Sequence, residues 1–225
     1  MGKYLVVANQ TLGGAELMDI IHQRMAAGPC RLHVLVPATH PTDFYHTVVA
    51  AYSGYADDQQ EAVAMGHRVA VMRQGQMAQV GTYQELYHEP VNAFVAGFLG
   101  SPPMHLVAGR RAGDAIACEV SGTQLLLPFP VPYRTRVADG EPVTIGLRPE
   151  HVRLTSAGEA SGLPCTVEMV ELSVSDAAHI LHLRHRDHTF CAKVALQQPV
   201  RPRETVWLHF SPQHLYYFDR DDKRL

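Results

Sequence analysis

Four histidines at every third position are the first candidates for metal chemistry in this sequence: His179, His182, His185 and His188. Imidazole nitrogens are common zinc ligands, but the surrounding residues are typical of β-strands. Alternate residues of a strand face opposite sides, so we expect His182 and His185 to point apart. We therefore predict no metal site and no cofactor.

A second polar group consists of Arg148, Glu150 and His151 within IGLRPEHVRL. A guanidinium, a carboxylate and an imidazole so close in sequence could form a small regulatory site. Alternatively, they could close the end of a strand through a salt bridge and turn hydrogen bonds. Both interpretations stay open.

The turn at residues 9–14 (NQTLGG) could place backbone N–H groups near an anion, because a helix is predicted to follow it. Phosphate-binding loops of the form GxxxxGK followed by Ser or Thr also need a lysine, and this turn has none. We favour a tight turn without a ligand.

Composition excludes several classes of protein. The net charge is -3 and only three of the 19 basic residues are lysines, so no basic stripe for nucleic acid is present. The four cysteines are far apart and read as small buried hydrophobes in a reducing compartment. The sequence has neither an apolar run of about 18 residues nor a signal-peptide core. We expect a soluble, cytoplasmic protein.

The first elements predict a βαβ unit: a strand at 4–8, a helix at about 15–27 and a strand at 31–36. Both strands are apolar on both faces, as parallel strands covered from both sides must be. We therefore predict that they share one parallel sheet with a later strand at 68–72.

The next stretch, residues 58–103, has consistent local signals. Asp58 can cap a short helix, and strands follow at 68–72 and 77–80. Thr82 and Glu85 predict a capping box for another helix. A last helix with an apolar stripe at Phe94, Val95, Phe98 and Leu99 ends before Gly100.

Residues after Pro103 change character to short strands separated by turns. Strands are predicted at 115–120, 124–128, 142–147, 152–154, 165–172, 179–184, 189–194, 205–210 and 215–218. Their regular spacing predicts an all-β barrel or sandwich.

Several of these segments resemble one known family in order and spacing. DQQEA, HRVAVMRQGQMAQVGT, ELYHEP and FVAGFLGSPPM resemble the end of the nucleotide-binding domain in ATPase subunits of carbohydrate-importing ABC transporters. IGLRPEHVRL and HLYYFDRDDKRL resemble the transport-associated OB (TOBE) domain that follows it. The implied fold is an α/β N-terminal part with a short parallel sheet, then an all-β OB-type barrel. Three parts are expected. Residues 1–57 are a βαβ segment of unrelated or divergent origin, residues 58–103 are the end of the nucleotide-binding domain, and residues 104–225 are the TOBE domain.

ATP hydrolysis in that family requires groups that this chain lacks. The phosphate loop with its lysine, the Mg²⁺-binding carboxylates and the LSGGQ-like signature loop are all missing. The family's register places its switch histidine at Asp57, where a carboxylate would repel a γ-phosphate. His40, after the second predicted strand, is an alternative switch candidate. We expect no enzymatic activity.

The resemblance implies a truncated ATPase-like protein that serves as a regulatory or dimerisation module of a sugar or polyol-phosphate importer. We expect a homodimer, membrane permease subunits as partners, no nucleic acid, and a peripheral location on the inner face of the membrane. Two alternatives stay open. The chain could be a small-ligand or oxyanion-binding TOBE module, or a non-functional remnant of a gene fusion.

Overall fold

The computed structural model describes residues 2–9, 30–35, 68–73, 76–155, 162–174 and 176–225. The predicted helices at 15–27 and after Asp58, together with Asp57 and His40, lie outside the described residues. In the part that is described, no helix has the length and apolar character needed to cross a membrane. The chain divides into two compact units, residues 1–91 and 92–225.

The first unit contains one four-stranded sheet in the order β2-β1-β3-β4. Its strands are β1 (Gly2–Asn9), β2 (Cys30–Leu35), β3 (Arg68–Arg73) and β4 (Gln76–Gly81). β1 pairs in parallel with both β2 and β3, and β4 runs antiparallel to β3. The prediction that the first two strands share a parallel sheet with the strand at 68–72 is confirmed.

Helix α1 (Tyr83–His88) follows β4 and begins with the predicted capping box. Glu85 N–H donates to the Thr82 hydroxyl over 3.2 Å, and Thr82 N–H donates to the Glu85 carboxylate over 2.7 Å. Each bond satisfies a backbone donor that has no partner within the helix. The Gln79 side-chain amide then holds the chain after the helix. Val91 N–H donates to Gln79 Oε1, and Gln79 Nε2 donates to Glu89 O, each over 3.0 Å.

The second unit begins with helix α2 (Ala93–Phe98), whose N-terminus is capped by the Asn92 side chain. A five-stranded antiparallel sheet, here the β5 sheet, has the order β14-β8-β5-β6-β7. A short helix, α3 (Val131–Arg134), follows β7. The strands of the β5 sheet are β5 (His105–Ala112), β6 (Ala115–Val120), β7 (Thr123–Pro128), β8 (Pro142–Leu147) and β14 (Leu215–Phe218).

The other antiparallel sheet, here the β10 sheet, has the order β12-β11-β10-β13-β9. Cα atoms of its two edge strands, β12 and β9, approach within 8 Å, so the sheet curls towards closure. The predicted all-β OB-type fold of this region is confirmed. Its strands are β9 (Val152–Thr155), β10 (Leu163–Ser173), β11 (Ala178–His185), β12 (His188–Ala195) and β13 (Thr205–Phe210).

Both sheets contribute to one apolar core. Phe190 on β12 has 0% of its surface exposed, and its ring lies 5.3 Å from that of His105 and 6.3 Å from that of Phe210. Alternate residues of each strand supply the core, as a half-buried sheet requires. Other core members include Ile116, Leu127, Ile145, Leu163, Leu181, Leu183 and Leu208.

Candidate functional site at the crossover between the two sheets

Two connections pass between the β5 and β10 sheets side by side. β8 continues through a 3-10 turn (Pro149–His151) into β9, and β13 continues through a second 3-10 turn (Pro212–His214) into β14. The strands on either side are paired, with Leu147 opposite Leu215 and Val152 opposite Phe210. The two turns therefore form a single crossover.

The predicted site residue His151 lies in this crossover against a second histidine. The rings of His151 and His214 stack with their centroids 4.3 Å apart and an interplanar angle of 20°. His214 did not emerge from the sequence analysis. A usable signal was present, because Pro-Glu-His and Pro-Gln-His occupy equivalent places between paired strands.

Arg148, the second predicted residue, is fully buried and holds helix α2. Its Nη1 donates to Leu99 O over 2.6 Å and to Ala96 O over 3.4 Å. The last carbonyls of a helix have no N–H donor within the helix, and they carry partial negative charge. A guanidinium is therefore a suitable donor for them. Arg148 Cζ also lies 5.8 Å from the centre of the Tyr216 ring.

The three predicted residues thus have different surroundings. Arg148 contacts the end of α2, His151 stacks on His214, and Glu150 is exposed at the surface. The contacts of Arg148 favour a structural role over a ligand site, because its Nη1 donates to two backbone oxygens at the end of α2. A regulatory role for the crossover stays a prediction.

The two central histidines of the spaced set point apart, as predicted. His182 lies within 3.4 Å of the Glu171 carboxylate, on the face of β11 away from the core. His185 lies on the opposite side, where Nε2 is 2.8 Å from the Thr123 hydroxyl and Nδ1 is 2.7 Å from Pro164 O. Within the described ranges, no group of three or more His, Cys, Asp or Glu is arranged to hold a metal ion.

A fifth histidine joins the two sheets directly. The backbone N–H of Cys191 on β12 donates to His105 Nε2 on β5 over 2.8 Å. Burial lowers the pKa of His105 from 6.5 to about 4. The neutral ring is therefore the form that the folded unit accommodates.

We expect His105 to make the stability of this unit depend on pH. Its imidazole takes up a proton near pH 6.5 in the unfolded chain but only near pH 4 in the folded one. The unfolded state therefore binds more protons between these values, and stability falls as the pH drops through this window, by up to about 3 kcal/mol. Urea unfolding at a series of pH values measures the effect.

The matched variant is His105→Gln, which has no titrating group at this position. Its stability should decline less between pH 6.5 and 4 than that of the wild type. Carboxylates such as Asp176, whose pKa is lowered through its bonds to Lys193 and Ser173 against the opposing effect of burial, contribute equally to both proteins. Parallel pH profiles for the two proteins would contradict the prediction.

Comparison with known domains defines the class of this β-rich region. Residues 100–152 match the MalK OB fold domain and residues 145–218 match the TOBE domain. These two families account for most of the second unit, including the crossover with Arg148, Glu150 and His151.

The chain is homologous to the C-terminal part of import ATP-binding proteins. It is 37% identical over 162 residues to the sn-glycerol-3-phosphate import ATP-binding protein UgpC of Salmonella paratyphi A, an alignment that covers 72% of this chain and 44% of UgpC. The protein of the same name from Escherichia coli K12 is 35% identical over the same shares. The chain thus spans less than half the length of the curated relatives it matches.

Among solved structures, the molybdate-bound form of the cytoplasmic molybdate-binding protein ModG matches with a TM-score of 0.42 and 13% identity. The alignment covers 50% of this chain and 94% of that one. A similarity at this level supports no conclusion about fold or ligand.

Proposed function

We propose that this chain is a regulatory or dimerisation module of a sugar or polyol-phosphate importer and does not itself hydrolyse ATP. The observation that carries the proposal is the pair of overlapping MalK OB fold and TOBE matches, which together cover residues 100–218. A polyol phosphate is the favoured cargo class, because the UgpC relatives are named for sn-glycerol-3-phosphate import. The proposed place of action is the cytoplasmic face of the membrane, beside permease subunits.

The absence of ATP hydrolysis rests on the groups that phosphoryl transfer requires. The 225 residues contain no GxxxxGK loop and no LSGGQ-like loop. Catalysis of phosphoryl transfer consists almost entirely of positioning and charge stabilisation, so loss of the lysine loop and the Mg²⁺ carboxylates removes nearly all of it.

We expect purified protein to release no phosphate from Mg²⁺-ATP above the rate of a heat-denatured sample. An intact import ATP-binding protein such as UgpC of Escherichia coli, assayed beside it, is the positive control. EDTA-sensitive ATPase activity in the chain would contradict this part of the proposal.

The regulatory role is tested in membranes that contain the permease and ATPase subunits of a polyol-phosphate importer from the same organism. Addition of the chain should change the rate of substrate-stimulated ATP hydrolysis, and the chain should co-sediment with the permease. No change and no co-sedimentation would reject the role. A rise in the unfolding midpoint of the isolated chain with glycerol phosphate, sulfate or molybdate would instead favour the ligand-binding alternative.

A further inference from the structure

A cysteine, a histidine and a glutamate form a row across three neighbouring strands of the β10 sheet. His182 on β11 lies directly opposite Cys191 on β12. Glu171 on β10 lies opposite Ile180, two residues before His182. Residues that are opposite or two apart share one face of a sheet, and this face points away from the core that contains Leu181 and Leu183.

The three side chains of this row lie at the outer limit of hydrogen-bond distance from one another. His182 Nδ1 is 3.9 Å from the Cys191 sulfur, and His182 Nε2 is 3.4 Å from the Glu171 carboxylate. A carboxylate oxygen that faces Nε2 favours the tautomer of His182 that carries its N–H on Nε2. The lone pair of Nδ1 is then directed at the thiol, in the arrangement of nucleophile, base and orienting acid that enzymes use.

The two cysteines of the core have a different environment. Burial raises the pKa of the Cys118 thiol to about 11 and that of Cys165 to about 12, so both stay protonated at neutral pH. Neither is in a disulfide, and the same is true of Cys191. Cys191 is also buried but keeps 7% of its surface exposed, against 1% for each core cysteine, and the His182 side chain beside it has 17%.

We propose that Cys191, His182 and Glu171 form a thiol-exchange site that takes a low-molecular-weight disulfide. His182 Nδ1 accepts the thiol proton, and the Cys191 thiolate attacks one sulfur of the disulfide. A new S–S bond forms as the original one breaks, and the departing thiolate takes the proton back from His182. One disulfide is consumed, one mixed disulfide is formed and one thiol is released, so electrons and protons balance.

Other charged groups near the row are paired with each other. Lys193 and Asp176 lie 2.7 Å apart, and Arg184 forms a bidentate pair with Glu168. His105, which binds the backbone of Cys191 from β5, is neutral at the pH of exchange because burial lowers its pKa to about 4. His182 is therefore the side chain of the row that is placed to accept the thiol proton.

The test uses the whole chain with two probes, glutathione disulfide and iodoacetamide, and mass spectrometry of cysteine-containing peptides. Near pH 7, Cys191 should be modified before Cys118 and Cys165. His182→Gln should slow modification of Cys191 on the order of tenfold, and Glu171→Gln should slow it less. Near pH 10 the thiol ionises without a base, so wild type and His182→Gln should react alike.

His179→Gln is the matched control, because His179 lies on the same strand but on the other face. It should leave the rate unchanged. The proposal fails if Cys191 reacts no faster than the two core thiols in the native protein. It also fails if His182→Gln retains the wild-type rate near pH 7 while its rate near pH 10 shows that the thiol is still accessible.

Discussion

A fragment of residues 104–225 is expected to be about 3–5 kcal/mol less stable than a fragment of residues 92–225, because it removes two backbone acceptors of the buried Arg148 guanidinium. Arg148 would lose Leu99 O and Ala96 O, its two acceptors on helix α2. The helix also packs Ala93 and Ala96 against Met104 and Phe218. A boundary at 103/104 stays a prediction, and comparing the two fragments tests it against a unit that begins at Asn92.

Urea unfolding of the two fragments measures the difference, and Arg148→Met in each provides the control. Methionine removes the charge while keeping most of the length of the side chain. The substitution should destabilise the longer fragment, which loses its helix anchor, and be neutral or stabilising in the shorter one, where the guanidinium has lost these acceptors. Equal stability of the two unsubstituted fragments would show that α2 contributes nothing to the barrel.

Phe190→Ala is expected to lower the free energy of unfolding by about 3–5 kcal/mol, since it removes a fully buried ring and leaves a cavity. The ring contacts His105 of the β5 sheet and Phe210 of the β10 sheet, so both sheets lose packing. Thr189→Ala, at the exposed neighbouring position, should change stability by less than about 0.5 kcal/mol.

Chemical denaturation of the full chain, followed by tryptophan fluorescence, measures this loss in the free energy of unfolding. The single tryptophan, Trp207, lies on β13 of the same unit. A loss below about 1 kcal/mol for Phe190→Ala would mean that the site collapses around the smaller side chain. A loss of the same size for Thr189→Ala would show that β12 is sensitive to any change in sequence.

Much of the β-rich unit could be predicted from the sequence, since its strands alternate apolar and polar residues between clear turns. The strand at 115–120, the turn at Ser121 and Gly122, and the strand at 205–210 all match the structure. Both turn residues have positive φ, at 45° and 76°, which suits the right-handed twist of a two-residue hairpin.

Strand β5 was missed for a physical reason. Gly109, Arg110 and Arg111 interrupt its apolar pattern, and glycine is usually unfavourable in strands. Here it is required, because a Cβ on Gly109 would come within 2.6 Å of the Cys118 and Ile116 side chains. Tertiary packing thus overrides the local preference.

The functional contacts depend on information that spacing along the chain does not contain. Arg148 finds its partners about 50 residues earlier, and His151 finds His214 in a separate turn. The row of Glu171, His182 and Cys191 arises only when the register of three strands is known. The sequence shows which residues are polar, but the strand register decides which of them meet.

The crossover has a mechanical consequence. One connection between two sheets could act as a hinge, but here two connections run in opposite directions through the same point. The paired residues on either side, Leu147 with Leu215 and Val152 with Phe210, resist torsion of one sheet against the other. Because Arg148 bonds the C-terminal end of helix α2 to this crossover, we expect the helix and the two sheets to move as one body.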